Sequence, residues 1–225
     1  MEDGFLKRKN DVLSKLDKSF IGGWDEKIKD LCEKLNSLEN YYTTSSCSGR
    51  VVLMIDEDEK KPGLFIKVYH DKISLGELKK KLTSFCSEIG GPEPEQVQGS
   101  LLDRDDNRKN ILVNSSKKFL ANENEQVNIK FKMEPCILHV ACKTLEDAQK
   151  LFDKAKLSGW KRSGIIASGN RFMLELNSTE KLEFPIIYGG EVLVGDKFLE
   201  IVVKEANEKL ENSWKKIEKL RKLLE

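Results

Sequence analysis

Between residues 41 and 55 the chain changes chemistry abruptly. Tyr41-Tyr42-Thr43-Thr44-Ser45-Ser46-Cys47-Ser48-Gly49-Arg50 is a run of tyrosines and small hydroxyl residues, and Val51-Val52-Leu53-Met54-Ile55 follows at once as an unbroken apolar run. Tyr, Thr and Val suit a pleated, half-buried surface, so the stretch reads as two strands with a turn at Ser48-Gly49. The polar half concentrates hydrogen-bond donors and acceptors, a thiol and one planar cation suited to carboxylate or phosphate. A polar turn between two strands and a ligand-contacting loop are both open at this point.

The flanking sequence supplies helices. Residues 5–18 carry apolar and basic residues at helix-like spacing, and Gly22-Gly23 ends them. Asp25 is placed to cap a helix over 26–39, with Ile28, Leu31, Cys32, Leu35 and Leu38 on one face. Leu64 to His70 reads as a third strand, and Ser74 as the cap of a helix to about residue 87. From 88 to 126 the composition turns to loop chemistry (Gly90-Gly91-Pro92, Asp103-Arg104-Asp105-Asp106-Asn107), which predicts an inserted loop or hairpin excursion. Strands are expected at 127–133 and 136–142, and a Thr144-capped helix at 145–157. A strand at 171–176 follows the turn Ser168-Gly169-Asn170, and another strand surrounds 182–187. Asp196 is placed to cap a last helix over 196–225. Its stripe of Leu199, Val203, Ala206, Leu210, Trp214, Ile217 and Leu220 recurs about every 3.5 residues, as a partner-helix seam does, although it suits packing on the chain's own sheet as well.

These elements define an α/β (α+β) chain: one domain over 1–225, with a mixed sheet, flanking helices and a long C-terminal helix. The order helix, strand, Ser-Gly turn, Arg-led strand, third strand occurs at 26–70 and again at 144–187, so an internal duplication is possible.

Charge and cysteine content narrow the function. The 39 Lys and Arg nearly cancel the 38 Asp and Glu, for a net charge of +1. Any nucleic-acid surface must therefore be a local patch. The five cysteines are scattered without a Cys-x-x-Cys pair, and His70 and His139 are the two histidines. Neither a disulfide framework nor a four-ligand zinc site fits that inventory, so no metal is expected and a reducing, cytoplasmic setting is. No apolar run reaches the roughly 18 residues of a membrane span, so no membrane is expected as a partner.

Nucleotide-binding folds of the Rossmann type place a Gly-rich turn between first strand and helix. The pairs Gly22-Gly23, Gly90-Gly91 and Gly189-Gly190 do not stand in that context, and the fold expected is non-Rossmann. A Gly-x-Ser-x-Gly elbow is also missing. Cys47 could act as a nucleophile beside a histidine, or simply be a half-buried cysteine. His139 stands between Leu138 and Val140, where a core histidine is the simple reading. His70 sits at a strand end beside Asp71 and is the better candidate for an exposed group.

Taken in order, several blocks resemble one family. Tyr42-Thr43-Thr44-Ser45-Ser46-Cys47-Ser48-Gly49-Arg50 is similar to the Phe-Thr-Thr-Ser-Ser-Cys-Ala-Gly-Arg signature of the tRNA wybutosine-synthesizing protein 3 family. His70 stands where that family has a histidine. Glu134-Pro135-Cys136-Ile137-Leu138-His139-Val140 resembles its Glu-Pro-x-x-Leu-His-Val block, and Ser158-Gly159 through Ser163-Gly164-Ile165 its Ser-Gly-x-x-x-Ser-Gly-Ile block. Lys18-Ser19, Gly23 and Asp25 resemble its opening. The resemblance runs from about residue 17 to 210, departing at 88–126 and at Ser48, where Ala is usual.

The resemblance implies an S-adenosylmethionine-dependent methyltransferase. Its substrate would be N-4 of the 4-demethylwyosine-type tricyclic base at position 37 of tRNA-Phe, in the anticodon loop. His70, then His139, would take the nitrogen proton. Ser45, Ser46, Cys47, Gly49, Arg50, Ser163 and Gly164 would line the donor and base site. Tyr41, Tyr42, Trp24 and Trp160 would stack a splayed base. Lys7, Lys9, Lys15, Lys18, Lys161 and Arg162 would meet phosphates. A monomer is expected, with a dimer open through the C-terminal helix. Two other classes stay open: a tRNA-binding module without catalysis, and a helical assembly protein using the 196–225 seam.

Overall fold

A computed structural model describes residues 4–15, 23–57, 63–88, 127–168 and 171–224. In chain order the elements are α1 (Gly4–Leu13), α2 (Glu26–Ser37), β1 (Tyr41–Cys47), β2 (Arg50–Ile55), β3 (Phe65–Tyr69), α3 (Leu75–Glu88), β4 (Ile129–Glu134) and β5 (Ile137–Cys142). Then come α4 (Leu145–Leu157), β6 (Gly164–Ser168), β7 (Arg171–Asn177), β8 (Leu182–Tyr188), β9 (Glu191–Val192) and α5 (Asp196–Leu223). The expected excursion at 88–126 lies outside the described residues, apart from Glu88 at the end of α3.

The α+β class and the long last helix are as the sequence implies. The sheet is different. Instead of one mixed sheet there are two, ordered β1-β5-β7-β6 and β3-β2-β4-β8-β9. The pairings β1–β5, β5–β7, β6–β7, β2–β3, β4–β8 and β8–β9 are all antiparallel. The Ser-Gly echo also has a physical limit. β6 and β7 pair with each other, whereas the strands on either side of Ser48-Gly49 lie in different sheets. A turn dipeptide fixes local backbone direction but not which strand becomes the neighbour.

The chain divides into two compact units, and the first comprises residues 1–50, 134–181 and 208–225. Its four-stranded sheet has one face buried under helices. Leu138, Val140, Leu174 and Leu176 from the strands meet Ile28, Leu31 and Leu35 of α2, Ala148 and Leu151 of α4, and Ile217 and Leu220 of α5. Strict alternation puts these strand residues on one side. Each fully buried large side chain contributes about 1.5–3 kcal/mol. Thr144 caps α4 as expected, its hydroxyl accepting from the Asp147 amide at 3.0 Å. Asp25 occupies the N-cap position of α2 as expected, but its side chain does not cap: the carboxylate accepts from the amide and hydroxyl of Ser48 at 2.8 and 3.1 Å instead. α1, which ends at Leu13, covers one end of the opposite sheet face, with Phe5 against Tyr42 (ring centroids 5.2 Å) and Ala141.

The second unit comprises residues 51–133 and 182–207. β4 alternates cleanly, with Ile129, Phe131 and Met133 buried and Lys130 and Lys132 turned outward to Asp56 and Glu183. Phe131, Phe184 and Phe198 form a stacked and then edge-on aromatic series. Pro185 sits where the β4–β8 register shifts, since a strand proline has no amide to give the ladder. Gly189 and Gly190, both at positive φ, make the tight turn into the short strand β9. Ser74 and Glu77 form a reciprocal capping box on α3. Asp196 is the first residue of α5 rather than its cap, and its carboxylate pairs with Lys79 at 2.8 Å.

The α5 stripe is used within the chain: Leu199, Ala206, Leu210, Ile217 and Leu220 are all buried. No helix of the described residues is long and apolar enough to cross a membrane.

Candidate functional site

The polar face of the four-stranded sheet carries three of the expected site residues, Ser45, His139 and Gly164. β1 pairs with β5 so that Thr43 faces Val140 and Ser45 faces His139, which leaves Thr44 as the extra residue of a β-bulge. Asn36 of α2 pins that bulge. Its side-chain oxygen accepts from the Thr43 amide at 2.8 Å, and its amide donates to the Thr43 hydroxyl at 3.0 Å. The bulge puts Ser45, not Thr44, opposite His139. β5 pairs with β7 so that His139 faces Glu175, and β7 with β6 so that Glu175 faces Gly164. One row therefore crosses all four strands: Ser45, His139, Glu175, Gly164.

The contacts within the row are close. Ser45 Oγ lies 2.7 Å from His139 Nδ1, and His139 Nε2 lies 3.2 Å from Glu175 Oε2. Ser45 is exposed, and the His139 and Glu175 side chains are 30% and 37% exposed. A Cβ built on Gly164 would meet nothing within 4 Å. On the same face, two residues along each strand, stand Met173 and Ile166, the latter 55% exposed. A hydroxyl, an imidazole and a carboxylate thus lie in hydrogen-bonding sequence beside open, apolar-edged surface.

Of the residues expected at the site, Ser45, His139 and Gly164 are brought together in this row. Glu175 was missed. In the sequence it is one acidic residue in an alternating strand, and only the β5–β7 register shows that it faces His139. The reading of His139 as a core histidine is corrected as well: alternation sends Leu138 and Val140 to the core and His139 to the other side.

The rest of the set stands outside this row. Ser46 points to the opposite face, toward Cys32, whose thiol burial pushes up to about 12. Cys47 ends β1, half-buried. Gly49 takes a positive φ of 100°, and a Cβ there would come within 3.3 Å of the Glu134 carbonyl oxygen. Arg50 Nε donates to Glu134 Oε2 at 2.6 Å. Ser163 donates to the Trp160 carbonyl at 2.6 Å and accepts from the Asn177 amide, tying the turn before β6 to the end of β7.

The stacking candidates are corrected by burial. Trp160 is fully buried in the helical core, its indole N–H donating to the Lys216 carbonyl. Tyr42 is 7% exposed under Phe5. The Tyr41 hydroxyl donates to the Asp147 carbonyl, and burial with Asp147 nearby raises its pKa to about 12. Trp24 packs partly buried on the same core. Lys9 is buried too, with Nζ donating to the Leu38 carbonyl at 2.5 Å, and burial lowers its pKa. Lys7, Lys15, Lys161 and Arg162 are exposed, while Lys18 lies outside the described residues. His70 belongs to the second unit, half-buried just past β3.

A hydroxyl–imidazole–carboxylate row, part-exposed on an antiparallel sheet, can accept and hold a proton from a docked ligand. Comparison with known proteins gives the chain its family. The model of the family described as Methyltransferase TYW3 matches residues 7–225, and the chain belongs to that family. It is a methyltransferase of the wybutosine-synthesizing group. A Danio rerio protein named tRNA wybutosine-synthesizing protein 3 homolog is 30% identical over 229 residues, covering 99% of this chain and 75% of the relative. A Methanocaldococcus jannaschii protein is 30% identical over 215 residues, covering 93% of this chain and 91% of its own. Its name is tRNA(Phe) 7-((3-amino-3-carboxypropyl)-4-demethylwyosine(37)-N(4))-methyltransferase. A solved structure from Pyrococcus horikoshii superposes with a TM-score of 0.71 at 28% identity, covering 98% of this chain and 96% of that one.

Proposed function

We propose that this chain transfers a methyl group from S-adenosylmethionine to N-4 of a 4-demethylwyosine-type base at position 37 of tRNA(Phe), with His139 as the proton acceptor. The observation that carries the reading is the Ser45–His139–Glu175 row, standing part-exposed on the sheet of a methyltransferase-family chain. S-adenosylmethionine supplies an electrophilic methyl on a sulfonium cation. The residues present suit such a donor: Glu175 offers a carboxylate to a cation, Gly164 leaves open space at its Cβ position, and exposed Ile166 offers an apolar edge. Alignment and proximity do most of the work in such a transfer, and a base is needed for the nitrogen proton. Arg50, held by Glu134, is assigned to a substrate carboxylate or phosphate.

The base at position 37 lies in the anticodon loop, where single-stranded bases can be splayed out for recognition. Exposed Lys161 and Arg162, three and two residues before Gly164, with Lys7 of α1 and Lys15 just past it, are the cations assigned to the phosphates. Affinity for tRNA then falls steeply with salt.

The deciding experiment is mass spectrometry of nucleosides after incubation with the donor and tRNA(Phe) carrying the demethylated base. A gain of one methyl on the tricyclic base is expected. Tight tRNA binding with no label transferred would instead leave a binding module. His139→Ala and His70→Ala, assayed side by side, assign the proton acceptor. An inactive His70→Ala beside an active His139→Ala would move that role to His70.

A further inference from the structure

We propose that Glu175 is a positioning residue that locks His139 in one tautomer, and that Ser45 is the group through which the substrate proton reaches the ring. The inference rests on the methyl-transfer reading for its chemistry, but its geometry stands on the row alone.

A carboxylate accepts hydrogen bonds and does not donate them. The ring nitrogen facing Glu175 at 3.2 Å is Nε2, so Nε2 carries the proton of the neutral ring. Nδ1 is then the acceptor, and the group 2.7 Å away is the Ser45 hydroxyl, which donates to it. That same hydroxyl is on an exposed residue and keeps its oxygen lone pairs for a substrate N–H. The bulge at Thr44 exists in the right place for this, because an unbulged β1 would set Thr44 opposite His139.

In the step this implies, the substrate N–H bond breaks and its proton forms a bond to Ser45 Oγ. The Ser45 O–H bond breaks in concert and its proton forms a bond to Nδ1. The nitrogen's electron pair enters the new N–CH3 bond, and the pair of the broken C–S bond stays on the donor's sulfur, now a neutral thioether. The positive charge ends on the imidazolium, beside the Glu175 carboxylate. Without that carboxylate the ring is free to place its proton on Nδ1, where it blocks the relay.

The chain has two histidines, so 15N-histidine labelling gives two ring systems, and His139→Asn assigns them by deletion. The unaltered protein, at a pH where the ring is neutral, is expected to show a protonated Nε2 and an unprotonated Nδ1 for His139. In Glu175→Ala the two tautomers mix. In Glu175→Gln the side-chain carbonyl still accepts from Nε2–H, so the tautomer is largely kept. Turnover follows the ring: Glu175→Ala and Ser45→Ala lower kcat by roughly 10- to 100-fold with KM for tRNA little changed, and Glu175→Gln recovers part of the loss. A protonated Nδ1 in the unaltered protein, or full kcat in both Ser45→Ala and Glu175→Ala, overturns the proposal. The tautomer is read without turnover. A chain that transfers no methyl therefore counts against the substrate assignment, whereas a protonated Nδ1 counts against the relay.

Discussion

The two faces of the β1-β5-β7-β6 sheet are made from the same strands and differ in almost everything else. On one, Leu138, Val140, Leu174 and Leu176 are fully buried beneath three helices. On the other, one residue along, His139 and Glu175 stand a third exposed, and α1 covers the end near Tyr42 and Ala141. Alternation at period two separates stability from chemistry at a spacing of a single residue. Neighbouring substitutions should therefore fail in different assays. His139→Ala is expected to cut methyl transfer by about 100- to 10,000-fold, the usual range for a lost general base. Its melting temperature should hold, since the ring lies on the part-exposed face and outside the packed core. A variant that melts early instead would place His139 with the packing residues.

Leu138→Ala and Trp160→Ala are the mirror test. Both side chains are fully buried, and truncation costs about 2–5 kcal/mol for leucine and 3–5 for tryptophan. Chemical denaturation at a temperature where the variants fold should show that loss, with the kcat of the folded fraction unchanged. A Trp160→Ala protein of normal stability and poor substrate binding would restore Trp160 as a stacking group.

The helices and most strands were legible because periodicity, Thr144 and Ser74 announce them locally. The Tyr41–Arg50 stretch was legible as a site by its chemistry, and the bulge within it was not. A bulge depends on the partner strand's register and on Asn36, neither of which leaves a local mark. The same limit hid Glu175, which acquires meaning only from the strand beside it. The split into two sheets was hidden for a related reason: nothing in Ser48-Gly49 states that the next strand will find new partners. Trp160 and Tyr42 misled in the opposite direction, since an aromatic residue near a motif reads alike whether it stacks a base or fills a core.

The buried side also has polar anchors, and these predict a pH response. Glu180 and Lys216 form an ion pair with side chains 12% and 20% exposed, and the Ser178 hydroxyl donates to the other Glu180 oxygen at 2.6 Å. Burial alone would raise the Glu180 pKa, but the Lys216 and Ser178 hydrogen bonds outweigh it and the net shift is downward from 4.5. A lowered folded-state pKa means the contribution is complete above the ordinary carboxyl value and is lost as pH falls through the lower one. Glu180→Gln should therefore flatten the acid limb of the stability curve below about pH 4.5 and cost about 1–3 kcal/mol at neutral pH. An unchanged acid limb would show that the pair contributes nothing.

Two glycines give the finest version of the comparison. Gly49 combines a φ of 100° with the Glu134 carbonyl oxygen 3.3 Å from where a Cβ would stand, and the Leu210 side chain at 3.5 Å. Backbone oxygen cannot move aside cheaply, and the left-handed region is strained for a side chain, so Gly49→Ala should cost about 1–3 kcal/mol. Gly164 has open space at its Cβ position. Gly164→Ala should leave stability within about 0.5 kcal/mol, as surface substitutions do. Its methyl would nevertheless stand beside Glu175 on the surface assigned to the donor and base, so KM for one of them should rise by roughly 3- to 10-fold. Steady-state kinetics with each substrate varied in turn would say which. If neither KM moves, the ligand does not reach the Gly164 end of the row, and the site is confined to Ser45 and His139.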